Sequence, residues 1–344
     1  MQLTRTAFPK ISLVGHPSDG YGGGVLALTV NDFAATVTAK PSRQMEIVVR
    51  RRSTASHNGP GSLADFTLRY GYADATRLML AALVRLVAHC ESHGIGIRDE
   101  ACRLSLHTTI PRQVGMGGSS AIVRATLDAL CDFYGISIPV RDQVTLALEA
   151  ETAELGIEAG LVDRVVQVFD GAVHFQCKDG SSGDWSATRI DAGLLPSLFV
   201  AYRSDLAKVS SGGVLSPIGS RFRAGDPEIR AIMVELAELA RNATDDLNAG
   251  RSAAFLGRID RGMDLRVTLM PHIDRRYFEL VEIGRALGSH VTFTGSGGAV
   301  VGTFETRSHF LALKKAYGAA GAALIAVTPS QPRPDVVALP WPRL

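Results

Sequence analysis

The chain has 344 residues, of which 36 are Lys or Arg and 34 are Asp or Glu, so its formal net charge is +2. Hydrophobic residues make up 46% of the chain and charged residues 20%, which allows a sizeable core and excludes a wholly disordered protein. The near-neutral charge, with no basic tail, argues against nucleic acid as the main partner. No segment has the pattern of a secretory signal or a membrane span, and the four cysteines lack metal-binding spacing. We therefore expect a soluble cytoplasmic protein with reduced thiols and no membrane partner.

The first half of the chain combines strand and helix patterns. Short apolar or β-branched runs predict strands at 11–14, 24–30, 34–39, 45–49 and 104–110. The polar stretch 51–62 predicts a loop. Apolar residues three and four positions apart predict helices at 74–89, 119–134, 141–155 and 161–169.

The pattern changes near residue 192. Beyond it, strands are predicted at 198–202, 290–294, 299–304 and 323–328, with a Ser/Gly-rich loop at 210–213. Helices are predicted at 227–248, 253–263, 272–287 and 307–317. This mixed order predicts an α+β protein of two domains, 1–192 and 193–344.

One glycine-rich segment lies between a predicted strand and a predicted helix, and it reads PRQVGMGGSSA at 111–121. Its glycines allow a tight turn and a close approach to a ligand, and the following helix start favours a phosphate. The segment is neither a Walker A sequence nor GxGxxG. Taken alone, it fits a phosphate site and an ordinary strand–helix turn with a serine cap equally well.

Two more segments accompany it, KISLVGHPSDGYGGG at 10–24 and FTGSGGA at 293–299. In this order, and over nearly the whole chain, the three segments resemble the motifs of the GHMP kinases, which include galactokinase, homoserine kinase and mevalonate kinase. Three stretches of sequence are most similar to the glucuronokinase branch of this family: GHPSDGYGGG at 15–24, GMGGSSA at 115–121 and AGLVDRVVQVFDG at 159–171. The resemblance implies an ATP-binding N-terminal domain like the second domain of ribosomal protein S5, and a ferredoxin-like C-terminal domain.

The resemblance also implies an ATP- and Mg²⁺-dependent kinase with a small-molecule substrate. The residues implied to contact ATP are Gly115, Met116, Gly117, Gly118, Ser119, Ser120 and Ala121. The hydroxyl of Ser120 and the carboxylate of Glu151 are the implied ligands of Mg²⁺, with Glu154 as the alternative to Glu151. Hard oxygen ligands of this kind suit Mg²⁺.

The implied catalytic residues are Asp163 and Lys10. Asp163 matches the catalytic aspartate of the family and would accept or orient the proton of the substrate hydroxyl. Lys10 matches the lysine of the first motif and would stabilise that aspartate and the transferred phosphate. The alternatives are a helix aspartate paired with Arg164 and a solvated lysine at the start of a strand.

The implied substrate residues are Asp19, in the loop that binds sugar hydroxyls, and the glycine segment with Gly295, Ser296 and Gly297. A sugar acid would also need a cation for its carboxylate. Arg164 adjoins the implied catalytic site, Arg261, Arg266 and Lys208 lie in the second domain, and the sequence does not decide among these four cations. We expect the C1 hydroxyl of D-glucuronate to be phosphorylated. The alternatives are galacturonate, galactose, a heptose, mevalonate, or a sugar sensor without catalysis.

Overall fold

The computed structural model describes residues 2–49, 52–54, 56–72, 76–178, 184–206, 211–270 and 273–339. The chain forms two compact units, each assembled from segments that are not consecutive. The first unit contains Met1–Pro9, Phe33–Ile110 and Gly118–Ala159, and the second contains Lys10–Asp32, Pro111–Gly117 and Gly160–Leu344. These units do not follow the expected division near residue 192. The assignment of 1–192 and 193–344 as N- and C-terminal kinase domains stays a prediction.

The strands are β1 (Leu3–Ala7), β2 (Lys10–Val14), β3 (Gly24–Thr29), β4 (Ala35–Pro41), β5 (Glu46–Val49), β6 (Arg52–Ser53), β7 (Cys102–Thr108), β8 (Ala172–Cys177), β9 (Trp185–Ile190), β10 (Leu198–Tyr202), β11 (Val291–Phe293), β12 (Ala299–Thr303) and β13 (Ala323–Val327). The helices are α1 (Pro60–Tyr70), α2 (Arg77–Ser92), α3 (Gly118–Tyr134), α4 (Val140–Thr152), α5 (Leu161–Phe169), α6 (Ser211–Arg223), α7 (Pro227–Asn248), α8 (Ser252–Leu269), α9 (Arg275–Ala286) and α10 (Arg307–Ala319).

The first unit is built on a five-stranded sheet in the order β1–β4–β7–β5–β6. Its pairs are antiparallel except β5 with β7, which is parallel. Alternate residues of β4 (Ala35, Val37 and Ala39) are buried, as expected for a strand that covers a core with one face. Helix α3 packs on β1 and β4, and α4 packs on α2 and α3. The core of this unit therefore fixes the positions of α3 and α4, which carry the implied metal ligands.

The second unit contains two antiparallel four-stranded sheets, β2–β3–β8–β9 and β11–β12–β10–β13. Strands β2 and β3 are buried along their whole length. Helices α5 and α7 both pack on β3, and α8 packs on β2 and β11. The start of β2 and the start of α5 consequently lie inside a rigid framework.

The structure confirms the α+β class, but several elements differ from the predictions. Helix α1 begins at Pro60 within the predicted loop 51–62, because proline fits the first turn of a helix, where its missing N–H is not needed. Strands β1, β8 and β9 were not predicted, and neither was β6, which lies within the predicted loop 51–62. Helix α6 occupies most of the predicted Ser/Gly-rich loop. The first residues of the helices predicted from 74 and from 272, and of the loop predicted from 210, lie outside the described residues. Within the described residues, no helix is long and apolar enough to cross a membrane. A cytoplasmic location stays a prediction.

Candidate active site

Strand β2 joins the two glycine-rich segments of the second unit through its backbone. The N–H of Lys10 donates to the carbonyl of Met116 at 3.0 Å, and the N–H of Ser12 donates to the carbonyl of Thr294 at 2.8 Å. Main-chain bonds of this kind fix the three segments relative to one another without depending on side-chain identity. The structure therefore brings together the three motifs that the sequence singles out.

The two glycine-rich segments also touch each other directly. A Cβ atom on Gly295 would lie 2.3 Å from the carbonyl oxygen of Gly115, so no side chain fits there. Gly115 has a φ of +74°, and a Cβ atom on it would lie 2.5 Å from the carbonyl oxygen of Gly297. The hydroxyl of Thr294 donates to the same Gly115 carbonyl at 3.1 Å. The glycines are required here by this close backbone contact.

The middle segment is anchored by side chains that face inward. Val114 and Met116 are buried, whereas Gly115 and Gly117 are partly exposed. The side-chain amide of Gln167 on α5 donates to the carbonyl of Gly117 at 2.8 Å. Backbone amides in such a turn, followed by a helix start, are suited to phosphate groups. The specific contacts of residues 115–121 with ATP stay a prediction.

Lys10 and Asp163 form an ion pair at the start of α5. The ammonium nitrogen of Lys10 lies 2.8 Å from Oδ1 of Asp163 and donates to the hydroxyl of Ser12 at 2.9 Å. Lys10 is only 2% exposed, so it is not the solvated lysine of a strand start. The side chain of Asp163 is 27% exposed. A buried cation thus holds a carboxylate that a ligand can still reach.

Arg164 follows Asp163 directly and points into the same part of the unit. Its guanidinium donates to the carbonyl of Gly160 at 2.9 Å and lies 3.8 Å from Oδ2 of Asp163. Asp163 therefore contacts Lys10 closely and Arg164 more loosely, and its catalytic role stays a prediction. Burial lowers the pKa of Arg164 to about 9, so the side chain remains charged at neutral pH.

Asp19 lies in a buried pair with His16. Nδ1 of His16 is 3.2 Å from Oδ1 of Asp19, and a Cβ atom on Gly160 would lie 3.5 Å from Oδ2 of Asp19. Burial raises the pKa of Asp19, but the hydrogen bond with His16 and the charges of His16 and Lys10 outweigh it and hold the pKa below its usual value. Burial is also the main cause that lowers the pKa of His16. Asp19 is therefore an ionised acceptor beside the start of α5.

The other cations considered for a substrate carboxylate are placed elsewhere. Arg261 is at the surface, where it pairs with Glu235 at 2.6 Å. Arg266 is buried and donates to the backbone carbonyl of Phe293 at 2.8 Å. Lys208 lies outside the described residues. Of the three described cations, Arg164 is the one in contact with Asp163.

The first unit carries the two implied metal ligands on packed helices. Ser120 on α3 and Glu151 on α4 are each only 1% exposed. Glu154, the alternative ligand, accepts a hydrogen bond from the hydroxyl of Tyr72 and pairs with Arg85 at 3.5 Å. The choice between Glu151 and Glu154 as the metal ligand stays a prediction.

The available donor set suits Mg²⁺. Among the described residues, no group of three or more His, Cys, Asp or Glu could hold a metal ion. Magnesium needs no such cage, because it usually binds one or two protein oxygens together with substrate phosphates and water. The hydroxyl of Ser120 and a carboxylate on α4 are oxygen donors of the required kind.

Several residues that organise the site were missed from the sequence. Gln167 lies four positions after Asp163, and this helical spacing could have placed both on one face of α5. His16 has no ligand-like spacing in the sequence, and the structure places Nδ1 of its ring 3.2 Å from Oδ1 of Asp19. Arg266 was considered for the substrate carboxylate, but its burial against backbone carbonyls could not be deduced from its position in the sequence.

Comparisons with known proteins agree with this geometry. Residues 77–171 match the family model of the GHMP kinases N terminal domain. Probable glucuronokinase 2 of Arabidopsis thaliana is 34% identical over 304 residues, which cover 86% of this chain and 82% of that protein. The chain belongs to the GHMP kinase superfamily. Glucuronokinase 1 of the same plant is 33% identical over 309 residues, covering 87% and 84% of the two chains.

The fold of this GHMP kinase is shared with more distant members. The crystal structure of Methanococcus jannaschii mevalonate kinase superimposes with a TM-score of 0.73, covering 96% of this chain and 98% of that one, at 16% identity. At this identity the likeness shows the fold alone. Family membership makes the protein a phosphotransferase with an alcohol group as acceptor, in a family that uses ATP and typically Mg²⁺.

Proposed function

We propose that this GHMP kinase phosphorylates the C1 hydroxyl of D-glucuronate with ATP and Mg²⁺, giving the 1-phosphate. The ion pair between buried Lys10 and accessible Asp163 carries the proposal. It lies in the unit whose backbone joins all three glycine-bearing segments. The two glucuronokinases that match most of the chain support the choice of sugar acid.

Asp163 supplies the base of the proposed reaction. As the C1 oxygen forms its bond to the γ-phosphorus, its proton moves to the carboxylate of Asp163, and the bond from that phosphorus to the bridging oxygen of ADP breaks. Lys10 limits the rotation of this carboxylate, because the two charged groups are only 2.8 Å apart.

Backbone amides would hold the phosphates of ATP, and side-chain oxygens would hold the metal. Backbone amides of residues 115–119 would bind the phosphates of ATP, with the N-terminus of α3 favouring their negative charge. Ser120 and Glu151 would hold Mg²⁺, which neutralises phosphate charge when it is bound.

The sugar acid would be recognised through charge. The ionised carboxylate of Asp19 would accept hydrogen bonds from sugar hydroxyls, and the guanidinium of Arg164 would meet the substrate carboxylate. Arg164 is buried and charged and already lies 3.8 Å from Oδ2 of Asp163, so the carboxylate of a sugar acid would supply a further anionic contact that a neutral sugar lacks. A site of this kind should therefore reject a neutral hexose.

The test is ADP release with glucuronate, galacturonate, glucose, galactose and mevalonate, with products identified by phosphorus NMR. We expect glucuronate to be preferred and its 1-phosphate to form. A preference for a neutral hexose of about tenfold, or about 1.4 kcal/mol, would refute the proposed substrate. Tight sugar binding without any turnover would instead indicate a sensor.

A matched pair of variants tests the assignment of the base. Asp163→Asn should lower turnover by about 10²–10⁴-fold. Asp245→Asn removes a carboxylate from an exposed position of α7 and should leave turnover unchanged. Equal activity of the two variants would exclude Asp163 as the base.

A further inference from the structure

Arg266 is a buried cation whose observed hydrogen bonds run to the third glycine-rich segment and its strand. Its guanidinium donates to the carbonyl of Phe293 at 2.8 Å and also to the carbonyl of Gly295. It lies over the ring of Phe293, 5.3 Å from the ring centre, and contacts the hydroxyl of Thr292 at 3.5 Å. The planar fork of an arginine can hold two carbonyls at once in a fixed geometry.

These contacts set the orientation of one peptide group. In a trans peptide the C=O and the following N–H point in opposite directions. Because the carbonyl of Gly295 points to Arg266 in the interior, the N–H of Ser296 points away from it. Ser296 is partly exposed while its neighbours are buried, and a Cβ atom on Gly115 would lie 3.4 Å from the nitrogen of Ser296. The amide of Ser296 therefore lies beside the middle glycine-rich segment.

We propose that Arg266 is a positioning residue for ATP: by holding the Gly295 carbonyl, it turns the N–H of Ser296 towards the nucleotide phosphates. The inference rests on the proposed kinase function and adds a residue that lies outside the three motifs. Successive amides from two adjacent segments form a more complete anion cradle than either segment alone.

The electrostatic surroundings are consistent with a permanently charged Arg266. Burial lowers its pKa to about 9, while the charge of Asp19 acts in the opposite direction. The cation therefore keeps its proton at neutral pH, and the strong hydrogen bonds of a charged donor persist throughout the working range.

The experiment compares nucleotide binding by calorimetry in the full-length protein and three variants. Arg266→Met removes the guanidinium, Arg266→Lys keeps a charge without the fork, and Arg261→Met removes an exposed arginine from the same helix. The probes are a non-hydrolysable ATP analogue and adenosine, which has no phosphates. Arg266→Met should bind the analogue about tenfold more weakly, and Arg266→Lys should be weakened less; both should bind adenosine as the wild type does. Arg261→Met should match the wild type with both probes.

The outcomes separate this inference from the function on which it rests. Unchanged binding of the analogue by folded Arg266 variants would overturn the positioning role. Equal weakening of adenosine and the analogue would also overturn it, because a general structural role predicts that result. If Arg266→Met does not fold by circular dichroism, Arg266→Lys gives the answer. A wild-type protein that binds neither probe would overturn the kinase proposal itself, and the role of Arg266 with it.

Discussion

The ion pair between buried Lys10 and partly exposed Asp163 allows a quantitative prediction about stability. We consider Asp163→Asn, Lys10→Met and the double variant, which together form a double-mutant cycle. Asp163→Asn leaves an ammonium group that is only 2% exposed without its counter-ion. Lys10→Met leaves a carboxylate that is 27% exposed and still has Arg164 at 3.8 Å. The two single changes should therefore have unequal costs.

The distance sets the scale of the coupling. Two unit charges 2.8 Å apart attract each other by about 6 kcal/mol at an effective dielectric constant of about 20. Desolvation of the ion pair offsets several kcal/mol of this attraction. We therefore expect Asp163→Asn to lower the free energy of unfolding by about 3 kcal/mol, and Lys10→Met by about 1 kcal/mol. The double variant should lose only about 1 kcal/mol, because it buries no unpaired charge, so the coupling is about 3 kcal/mol.

Urea unfolding followed by circular dichroism measures each corner of the cycle. The matched control is Asp205→Asn, which breaks an ion pair of the same 2.8 Å distance with Arg203 in which the carboxylate is 53% exposed. It should leave the unfolding midpoint unchanged, because water and salt replace an exposed partner. A coupling below about 0.5 kcal/mol between Lys10 and Asp163 would refute the reasoning, since that is the size expected of a surface pair.

Three further predictions concern the sugar, the metal and pH. Asp19→Asn should raise the KM for the sugar acid about tenfold and leave the KM for ATP unchanged in initial-rate measurements, because it removes an ionised acceptor. Glu151→Gln should raise the Mg²⁺ concentration for half-maximal rate about tenfold, because it removes the implied ligand, and the same rise in Glu154→Gln alone would assign the metal to the alternative carboxylate. Burial lowers the pKa of His16 below 6.5, so the unfolded chain takes up a proton that the folded chain resists. Stability should fall as the pH drops below about 6.5, and His16→Gln should reduce that slope in urea titrations at several pH values.

The parts of the fold predicted best are those with dense apolar periodicity. Helices α5 and α7 and strand β10 begin and end where the spacing predicts. Strand β1 was missed because it lies at a sheet edge with three exposed residues, so it has no apolar alternation. The division into two units, each built from segments that are not consecutive, could not be predicted either. Long-range pairing decides which segments pack together, and local sequence patterns do not contain that information.

The candidate site was predictable where sequence resemblance carried the information. The glycine-rich segments and Asp163 were found in this way, and the structure joins them within one unit. The burial of Lys10 was not predictable, because it depends on contacts with residues far along the chain, such as Asp163. The same applies to Arg266, whose position on a helix gives no sign that it binds the backbone of a distant glycine segment. Burial of a charge depends on tertiary contacts, and those are absent from a single sequence.

Backbone contacts and side-chain contacts have different roles in this site. The glycine-rich segments are held by main-chain hydrogen bonds and by backbone contacts that exclude side chains, so their geometry survives extensive sequence change. This explains how the chain shares a fold with Methanococcus jannaschii mevalonate kinase at only 16% identity. The proposed substrate specificity depends instead on side chains at the start of α5, where Asp19 and Arg164 both lie beside Gly160. An ionised acceptor and a buried cation beside the same glycine fit the proposed substrate, because a sugar acid has both hydroxyls and a carboxylate.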